Sequence, residues 1–505
     1  MKLFIGKPLR NILLSLVALA WGWGLSAQDF GVRAFYLDFR TQVMTVDAIK
    51  HLADDLHEKG MNALMIEYEA TFPFKEDATL RNGFAFSEED VKEIVSYCSS
   101  LGMEVIPLQN CFGHCEYILR HPRYAGLRED PKKEVSQVCP MKIDEAVEAF
   151  KGIFSEVASL HPSRYMHIGC DETYLLGSCE RCSKVPKAKL FADYVNAMCD
   201  IVRGLGKRPM IWADMVLKHP DAIPLLPKDL IYVDWNYGWA PDHFGPLSRL
   251  LESGAEVWGA AALRSYPDDV FLTRWEKHFD NLRDFVPYAM AHGYKGMIET
   301  TWSTSGTYGF HYGNRWEVFS MQPIRQVYPL DAFGILAAAY AKALSSSSPL
   351  PVDEFIKGYA TEHYGLDGRE SDALLGYFRL PQPEAADIPD LEKEIRVCEG
   401  AREGLAALRP RKNAREFGHY VLMMDIRIEY LKFKEIERSY EASGFGASDA
   451  AALSRRLKAV LAESEKTAKR FTGIHSGFLK PGQSEAIMDT WLEKPRELLR
   501  TLQNF

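Results

Sequence analysis

A closed (β/α)8 TIM barrel of the α/β class, followed by an all-helical C-terminal region, is the fold this sequence predicts. Three observations point there. From residue 32 to about 340, short apolar runs alternate with amphipathic helical patterns, as in βα units around a parallel sheet. Eight such runs can be counted, the number that closes a barrel. No Gly-rich phosphate turn follows the first run, which disfavours an open, doubly wound sheet.

The elements follow in order. "VRAFYLDF" reads as the first strand, and "TVDAIKHLADDLHEKG" as an amphipathic helix with Thr45 as cap and Gly60 as stop. "NALMIEYE" is the second strand. The helix "SEEDVKEIVSYCSSLG" opens on a capping box of Ser87 with Asp90 and closes at Gly102. "MEVIPLQ" is the third strand, and a long connection leads to the helix "DEAVEAFKGIFSEVASL". "YMHIGC" is the fourth, followed by the helix "KLFADYVNAMCDIVRGLG". The remaining strands are "RPMIWAD", "LIYVDW", "AEVWGAA" and "GMIETTW", with helical segments around 242–253 and 280–292. The run "SSSSPLP" ends the barrel region, assigned to residues 28–345. Residues 346–505 carry only helical patterns, such as "DLEKEIRVCEGAREGLAAL", and form a helical domain or a set of helices packed on the barrel.

Residues 1–27 have the layout of a signal peptide. Lys2, Lys7 and Arg10 precede the apolar run "NILLSLVALAWGWGL", and "LSA" before Gln28 fits a small-residue cleavage site. The run is short for a membrane span. The mature chain is therefore expected to start near Gln28, with no membrane span, and to be exported to a periplasm or secreted. A net charge of -9 spread along the chain offers no basic footprint for nucleic acid. Nine scattered cysteines are too sparse for a disulfide scaffold. "CERC", Cys179 with Cys182, leaves three readings open: free thiols, a disulfide or a metal. A lone CxxC supplies only two of the four ligands zinc needs.

In a barrel of this kind the site lies at the carboxyl ends of the strands. Those ends carry Asp38, Arg40, Glu67, Glu69, Asn110, His114, Asp171, Glu172, Asp214 and Asp234. Aromatic residues crowd the same ends: Tyr68, Phe72, Trp212, Trp235, Tyr237, Trp239, Trp258 and Trp302. Carboxylates among tryptophans suit a sugar, whose C–H faces pack on rings while its hydroxyls bond charged groups. The adjacent pair Asp171–Glu172 in "YMHIGCDETYLLG" is the sharpest feature. Two like charges at close range, partly buried, push one pKa upward and keep one acid protonated near neutral pH, as a general acid requires. Neighbouring positions are wrong for two acids gripping opposite faces of a sugar, which stand about 5–9 Å apart across the scissile bond. A substrate that brings its own nucleophile, a 2-acetamido carbonyl, resolves this.

"HIGCDE" resembles the "HIGGDE" signature of glycoside hydrolase family 20, the β-N-acetylhexosaminidases, and "HIGCDETYLLG" is similar to its hexosaminidase D branch. The resemblance covers roughly residues 30 to 340 and implies a catalytic barrel. Carried over, Glu172 is the general acid/base, and Asp171 holds the acetamido N–H and stabilises an oxazolinium intermediate. Arg33 matches a strand-one arginine that binds sugar hydroxyls, and His114 the glycine–histidine after strand three. Trp302 matches the tryptophan closing the acetamido pocket, and Trp235, Tyr237 and Trp258, on loops that align only loosely, are further substrate-binding assignments. His167 is implied as a structural support and Asp214 as a support behind the acids. Glu67 and Glu69 stay open between support and contact. Two departures stand out. Cys170 replaces a signature glycine, as the branch also does. After Trp302 the chain reads "STSG", and Thr304 cannot replace the acid that many members use on the 4- and 6-hydroxyls.

The implied activity is exo-acting β-N-acetylhexosaminidase, retaining by substrate assistance, with terminal GlcNAc or GalNAc of glycans as substrate, no cofactor and no catalytic metal. Two rivals are a non-catalytic N-acetylhexosamine-binding barrel of the cell envelope and a metal-dependent hydrolase. The latter expects more strand-end histidines than are found.

Overall fold

The computed structural model describes residues 30–130, 135–303, 308–311, 320–323 and 326–505. The expected signal peptide, 1–27, and Thr304 lie outside the described residues. Eight parallel strands close into a barrel in sequence order: β1 (Val32–Asp38), β2 (Ala63–Glu67), β3 (Glu104–Leu108), β4 (Tyr165–His167), β5 (Arg208–Trp212), β6 (Ile231–Trp235), β7 (Glu256–Arg264) and β8 (Gly296–Thr301), with β8 paired back to β1. Helices return the chain between them: α1 (Val46–Glu58), α2 (Glu88–Ser100), α3 (Ile143–Leu160), α4 (Lys187–Gly204), α5 (Asp214–Lys218), α6 (Leu247–Glu252) and α7 (Trp275–Ala291), with α8 (Gly334–Leu344) closing the last unit. Beyond β8, β9 (Tyr308–His311) and β10 (Ser320–Pro323) pair antiparallel, a ribbon the alternating pattern does not announce.

The helices begin where their side chains can satisfy the first backbone donors. Thr45 Oγ1 accepts from the Ala48 N–H at 3.2 Å, and Gly60 follows α1 with φ of +86°. Ser87 and Asp90 exchange bonds at the start of α2, Oγ with N at 3.0 Å and Oδ2 with N at 2.9 Å. Such a cap is worth about 1 kcal/mol. α1 turns Ala48, Ile49, Ala53 and Leu56 onto the barrel, which explains its apolar period.

The strands are apolar on both faces because both are covered. Phe35, Leu37, Leu64 and Ile66 face the helices. Ala34, Tyr36, Met65, Leu108, Met210, Trp212, Val233, Trp258 and Ile298 fill the interior. At the amino end of the strands Trp258 packs edge-on against Tyr165, ring centroids 5.1 Å apart. Gly296 makes room for it: a Cβ there would lie 2.5 Å from the indole ring. Register puts Asp38 level with Glu67 at the opposite, carboxyl end.

Past α8 the described residues form α9 (Val352–Tyr364), α10 (Gly368–Phe378), α11 (Leu391–Ala407), α12 (Ala414–Ala442), α13 (Ala450–Ile474) and α14 (Gln483–Gln503). The turn between α13 and α14 docks on the β1–α1 loop. Thr45 N–H donates to Phe478 O at 2.8 Å, Lys480 N–H to Val43 O at 2.9 Å, and Val43 N–H to Gln483 Oε1 at 2.6 Å. Beside it His475 Nδ1 lies 2.8 Å from Asp331 Oδ2. The helical region thus braces a loop at the carboxyl end of the barrel. Among the described residues no helix is long and apolar enough to cross a membrane.

Candidate active site

A cleft of about 350 Å³ opens at the carboxyl ends of the strands. One wall carries Arg40, His114, Asp171, Glu172 and Tyr174; the other is aromatic, with Trp212, Trp235, Tyr237, Trp239 and Trp302. The polar wall is built on strained backbone. β4 is short because the chain turns at once after His167: Gly169 and Cys170 take φ of +72° and +75°, and Glu172 takes +47°. Non-glycine residues rarely adopt this region, and each costs of order 1–3 kcal/mol. Two glycines beside the acids, one in the motif and one before His114, have a steric reason. A Cβ on Gly169 would stand 1.9 Å from Asn110 Oδ1, and one on Gly113 would stand 2.2 Å from Asp171 O. The φ of Cys170 shows why a glycine suits that position of the signature.

His114, also at positive φ (+51°), reaches into the angle between the two acids. Its Nε2 lies 3.2 Å from Asp171 Oδ2 and 3.3 Å from Glu172 Oε2. Burial works against a charged ring, but the two carboxylates outweigh it and hold the His114 pKa well above the usual value. Burial would likewise raise Glu172. The hydrogen bond and charge of His114, with the Tyr174 hydroxyl at 2.7 Å and the charge of Lys218, bring it instead to about 2. The expected rise therefore does not fall on Glu172: the imidazole within 3.3 Å of both carboxylates draws the Glu172 pKa down and its own up.

Behind the acids, Asp214 Oδ2 accepts the Glu172 N–H at 3.1 Å and Lys218 Nζ at 3.2 Å. Burial and the nearby Asp171 push its pKa up to about 6. His167 lies tilted against Trp212, ring centroids 4.5 Å apart, and accepts the Gly169 N–H on Nδ1 at 3.1 Å, and burial lowers its pKa to about 3. It is a neutral prop under the turn. Neither residue lines the cleft.

Arg40 stands beside the acids on a rigid carboxylate. Its Nε and NH2 donate to Asp38 Oδ1 and Oδ2, both at 3.0 Å, and its Nε lies 3.4 Å from Glu67 Oε1. Its guanidinium also lies 5.3 Å from the Trp302 ring centroid. Burial opposes the charge on Asp38, yet the Arg40 charge and hydrogen bonds keep it below the usual carboxylate range. Glu67 accepts from Tyr36 Oη and from Asn110 Nδ2, the latter at 2.7 Å, and Asn110 Nδ2 also reaches Glu69 Oε1 at 2.9 Å. Both glutamates are buried and absent from the cleft lining, so their place is support.

On the aromatic wall Trp302 Nε1 donates to Tyr237 Oη at 2.7 Å, and Trp302 lies 5.7 Å from Trp212 and 4.8 Å from Tyr36, centroid to centroid. Asp171 Oδ1 and Trp235 Nε1 are buried without a hydrogen-bond partner among the described residues. An acceptor and a donor therefore remain for a ligand.

Two sequence assignments are corrected. Arg33 sits at the amino end of β1, where Nε donates to Gly60 O at 2.7 Å and NH1 to Phe30 O at 2.9 Å. It cannot reach the mouth. Trp258, in the third position of β7, lies in the barrel floor with Nε1 on Glu256 Oε1 at 2.9 Å. Both misplacements confuse the start of a strand with its end. The structure brings Arg40, Trp212 and Trp239 to the cleft instead, and all three stood among the strand-end residues. Tyr174 was missed, although it lies inside the quoted motif.

The fold and the acid-and-tryptophan cleft define a sugar-cleaving barrel, and comparison specifies the class. A model of the glycosyl hydrolase family 20 catalytic domain matches residues 30–308. The chain belongs to that family, the β-N-acetylhexosaminidases, and is a glycoside hydrolase. Hexosaminidase D of Bos taurus is 29% identical over 295 residues, covering 54% of this chain and 84% of the bovine protein. Hexosaminidase D of Homo sapiens is 28% identical over 298 residues, covering 54% of this chain and 60% of the human protein. The X-ray structure of a Flavobacterium johnsoniae chitobiase shares the fold, with a TM-score of 0.52 at 16% identity over 94% of this chain and 72% of that one.

Proposed function

We propose that the protein is an exo-acting β-N-acetylhexosaminidase that removes terminal GlcNAc or GalNAc with retention, the substrate's acetamido oxygen acting as nucleophile. One observation carries this reading: Asp171 and Glu172 share His114 Nε2. They stand on one wall with an imidazole between them, so they cannot face each other across a glycosidic bond. They are also the carboxylates among the described residues that line the cleft. An ordinary retaining or inverting enzyme needs its second acid across the scissile bond.

The acetamido carbonyl oxygen attacks the anomeric carbon while the bond to the leaving oxygen breaks, and Glu172 supplies the proton to that oxygen. The free enzyme keeps this proton on His114, and it passes to Glu172 when the sugar enters. Asp171, through Oδ1, accepts the N–H of the cationic oxazolinium. Water then attacks the same carbon, Glu172 takes its proton, and the amide is restored. Tyr237, Trp302 and Trp235 enclose the acetamido group, and Arg40 meets ring hydroxyls. The cleft is at the small end of ligand pockets, which run about 300–1,000 Å³, and suits one terminal sugar. Export is part of the proposal and rests on residues 1–27 alone.

Arylglycosides of GlcNAc, GalNAc and glucose test the reading. The first two are cleaved, with the β-anomer formed first by NMR and with inhibition by a thiazoline mimic of the intermediate. Equal cleavage of the glucoside, which lacks the amide, would refute it. Binding of N-acetylhexosamine without turnover would favour the non-catalytic barrel.

A further inference from the structure

A second cluster stands apart from the cleft, and none of its members lines it. Glu129, Cys139, Cys179 and Cys182 converge so that one ligand atom from each lies within 4.8 Å of the others. Glu129, Cys139 and Cys182 are buried, and Cys179 is partly open to solvent. Cys139 Sγ is 3.6 Å from Cys182 Sγ and 3.9 Å from Cys179 Sγ, and Cys182 Sγ is 3.4 Å from Glu129 Oε2.

These separations have a meaning. With Zn–S of about 2.3 Å and Zn–O of about 2.0 Å, a tetrahedral ion spaces its sulfurs about 3.8 Å apart and a sulfur and an oxygen about 3.5 Å apart. A disulfide needs about 2.05 Å and leaves one of three thiols over. Backbone donors also orient the ligand atoms. The Cys182 N–H points at Cys179 Sγ from 3.4 Å, and the Cys179 N–H donates to Glu129 Oε1 at 2.9 Å, orienting the carboxylate from its far side.

We propose that this is a structural zinc site, with three cysteine thiolates and the Glu129 carboxylate as its four ligands. Binding Zn²⁺ releases three thiol protons to solvent and fills the coordination shell, leaving no open position for a reactive water. The ion ties the β3–α3 connection, which carries His114, to the β4–α4 connection, which carries Asp171 and Glu172. Gln137 already crosses between them, its Oε1 accepting the Leu175 N–H at 2.8 Å. The zinc therefore holds the strained acid-bearing turn from behind. It is independent of the sugar specificity proposed above.

Metal analysis of the full-length protein, purified without chelator, tests this. One zinc per chain is expected, together with an intense visible d–d spectrum and thiolate-to-metal charge transfer when Co²⁺ replaces it. Zinc disappears in Cys139→Ser/Cys182→Ser, and Glu129→Gln weakens binding by more than about tenfold. Removing zinc speeds amide exchange across residues 171–185. If the variants do not fold, the wild-type protein decides alone. A metal-free chain that takes up no Zn²⁺ on titration would overturn the site. So would a disulfide joining any two of the three cysteines in non-reducing peptide mapping.

Discussion

At the amino end of β1, Arg33 spends its guanidinium on the carbonyls of Phe30 and Gly60. Just past the carboxyl end of the same strand, Arg40 is clamped by Asp38 and lies against Trp302 in the cleft. The tryptophans divide in the same way. Trp258 fills the floor over Gly296, whereas Trp302 and Trp235 line the mouth. At the floor the donors of Arg33 and Trp258 Nε1 are spent on nearby carbonyls and on Glu256. Among the described residues, Asp171 Oδ1 and Trp235 Nε1 at the mouth have no hydrogen-bond partner, and His114 and Glu172 are held at positive φ. Residue type does not separate the two ends; strand direction does, because the chain enters a parallel barrel at one rim and leaves its loops at the other.

That contrast can be broken or sharpened by substitution. Glu172→Gln has the largest effect, lowering kcat/KM on a GlcNAc arylglycoside by about 10²–10⁴-fold while leaving the melting temperature near wild type. Retained activity would remove the acid/base role from the mouth. Trp258→Ala should cost about 3–5 kcal/mol in denaturant unfolding, with turnover per folded molecule preserved. Trp302→Ala should raise KM at nearly constant stability. An exchange of those two phenotypes would invert the assignment of floor and mouth.

His114→Asn probes the pH profile of kcat/KM. On the proposed mechanism the proton that Glu172 delivers is held by His114, whose pKa the two carboxylates raise. It is lost only as pH rises through that raised value, so the alkaline limb lies above pH 6.5, the ordinary value. Without the imidazole the proton must sit on Glu172 itself, whose ordinary value is 4.5, and the limb moves to lower pH. An unmoved limb would show that His114 does not hold the proton.

The arginine pair gives smaller effects. Arg40→Lys loses the planar fork on Asp38 and should lower kcat/KM about tenfold, a scale set by hydrogen bonds to charged groups of about 1.5–3 kcal/mol. Arg33→Met should leave kinetics unchanged and cost about 1 kcal/mol of stability. Cys170→Gly is the mildest. It relieves φ of +75° but loses a buried thiol, and the net change should fall within about 1 kcal/mol with activity kept. A large loss would mean that the Cys170 side chain, not the backbone, matters there.

The barrel was legible because its signals are local. Strands buried on both faces read as apolar runs, and helices such as α1 and α2 announce themselves by cap, period and closing glycine. The acid pair was legible because two adjacent carboxylates at the end of an apolar run have no cheap structural use. The errors at Arg33 and Trp258 came from judging residues by type within a strand, when their height in the barrel depends on register. The imidazole that lowers the Glu172 pKa was not legible either. His114 is far away in sequence and reaches the pair only through the turn at Gly113, where a side chain would strike Asp171 O.

The alternation of strands and helices, the acid pair at a strand end and membership of a sugar-cleaving family can be read along the chain, since each depends on neighbouring residues. The folded chain alone reveals which arginine faces the cleft, that His114 sits between the two acids, and that Glu129 and Cys139 join Cys179 and Cys182 in one cluster. Those outcomes depend on distances of a few ångströms between segments far apart in the chain. Barrel closure sets such distances, and no local pattern records them.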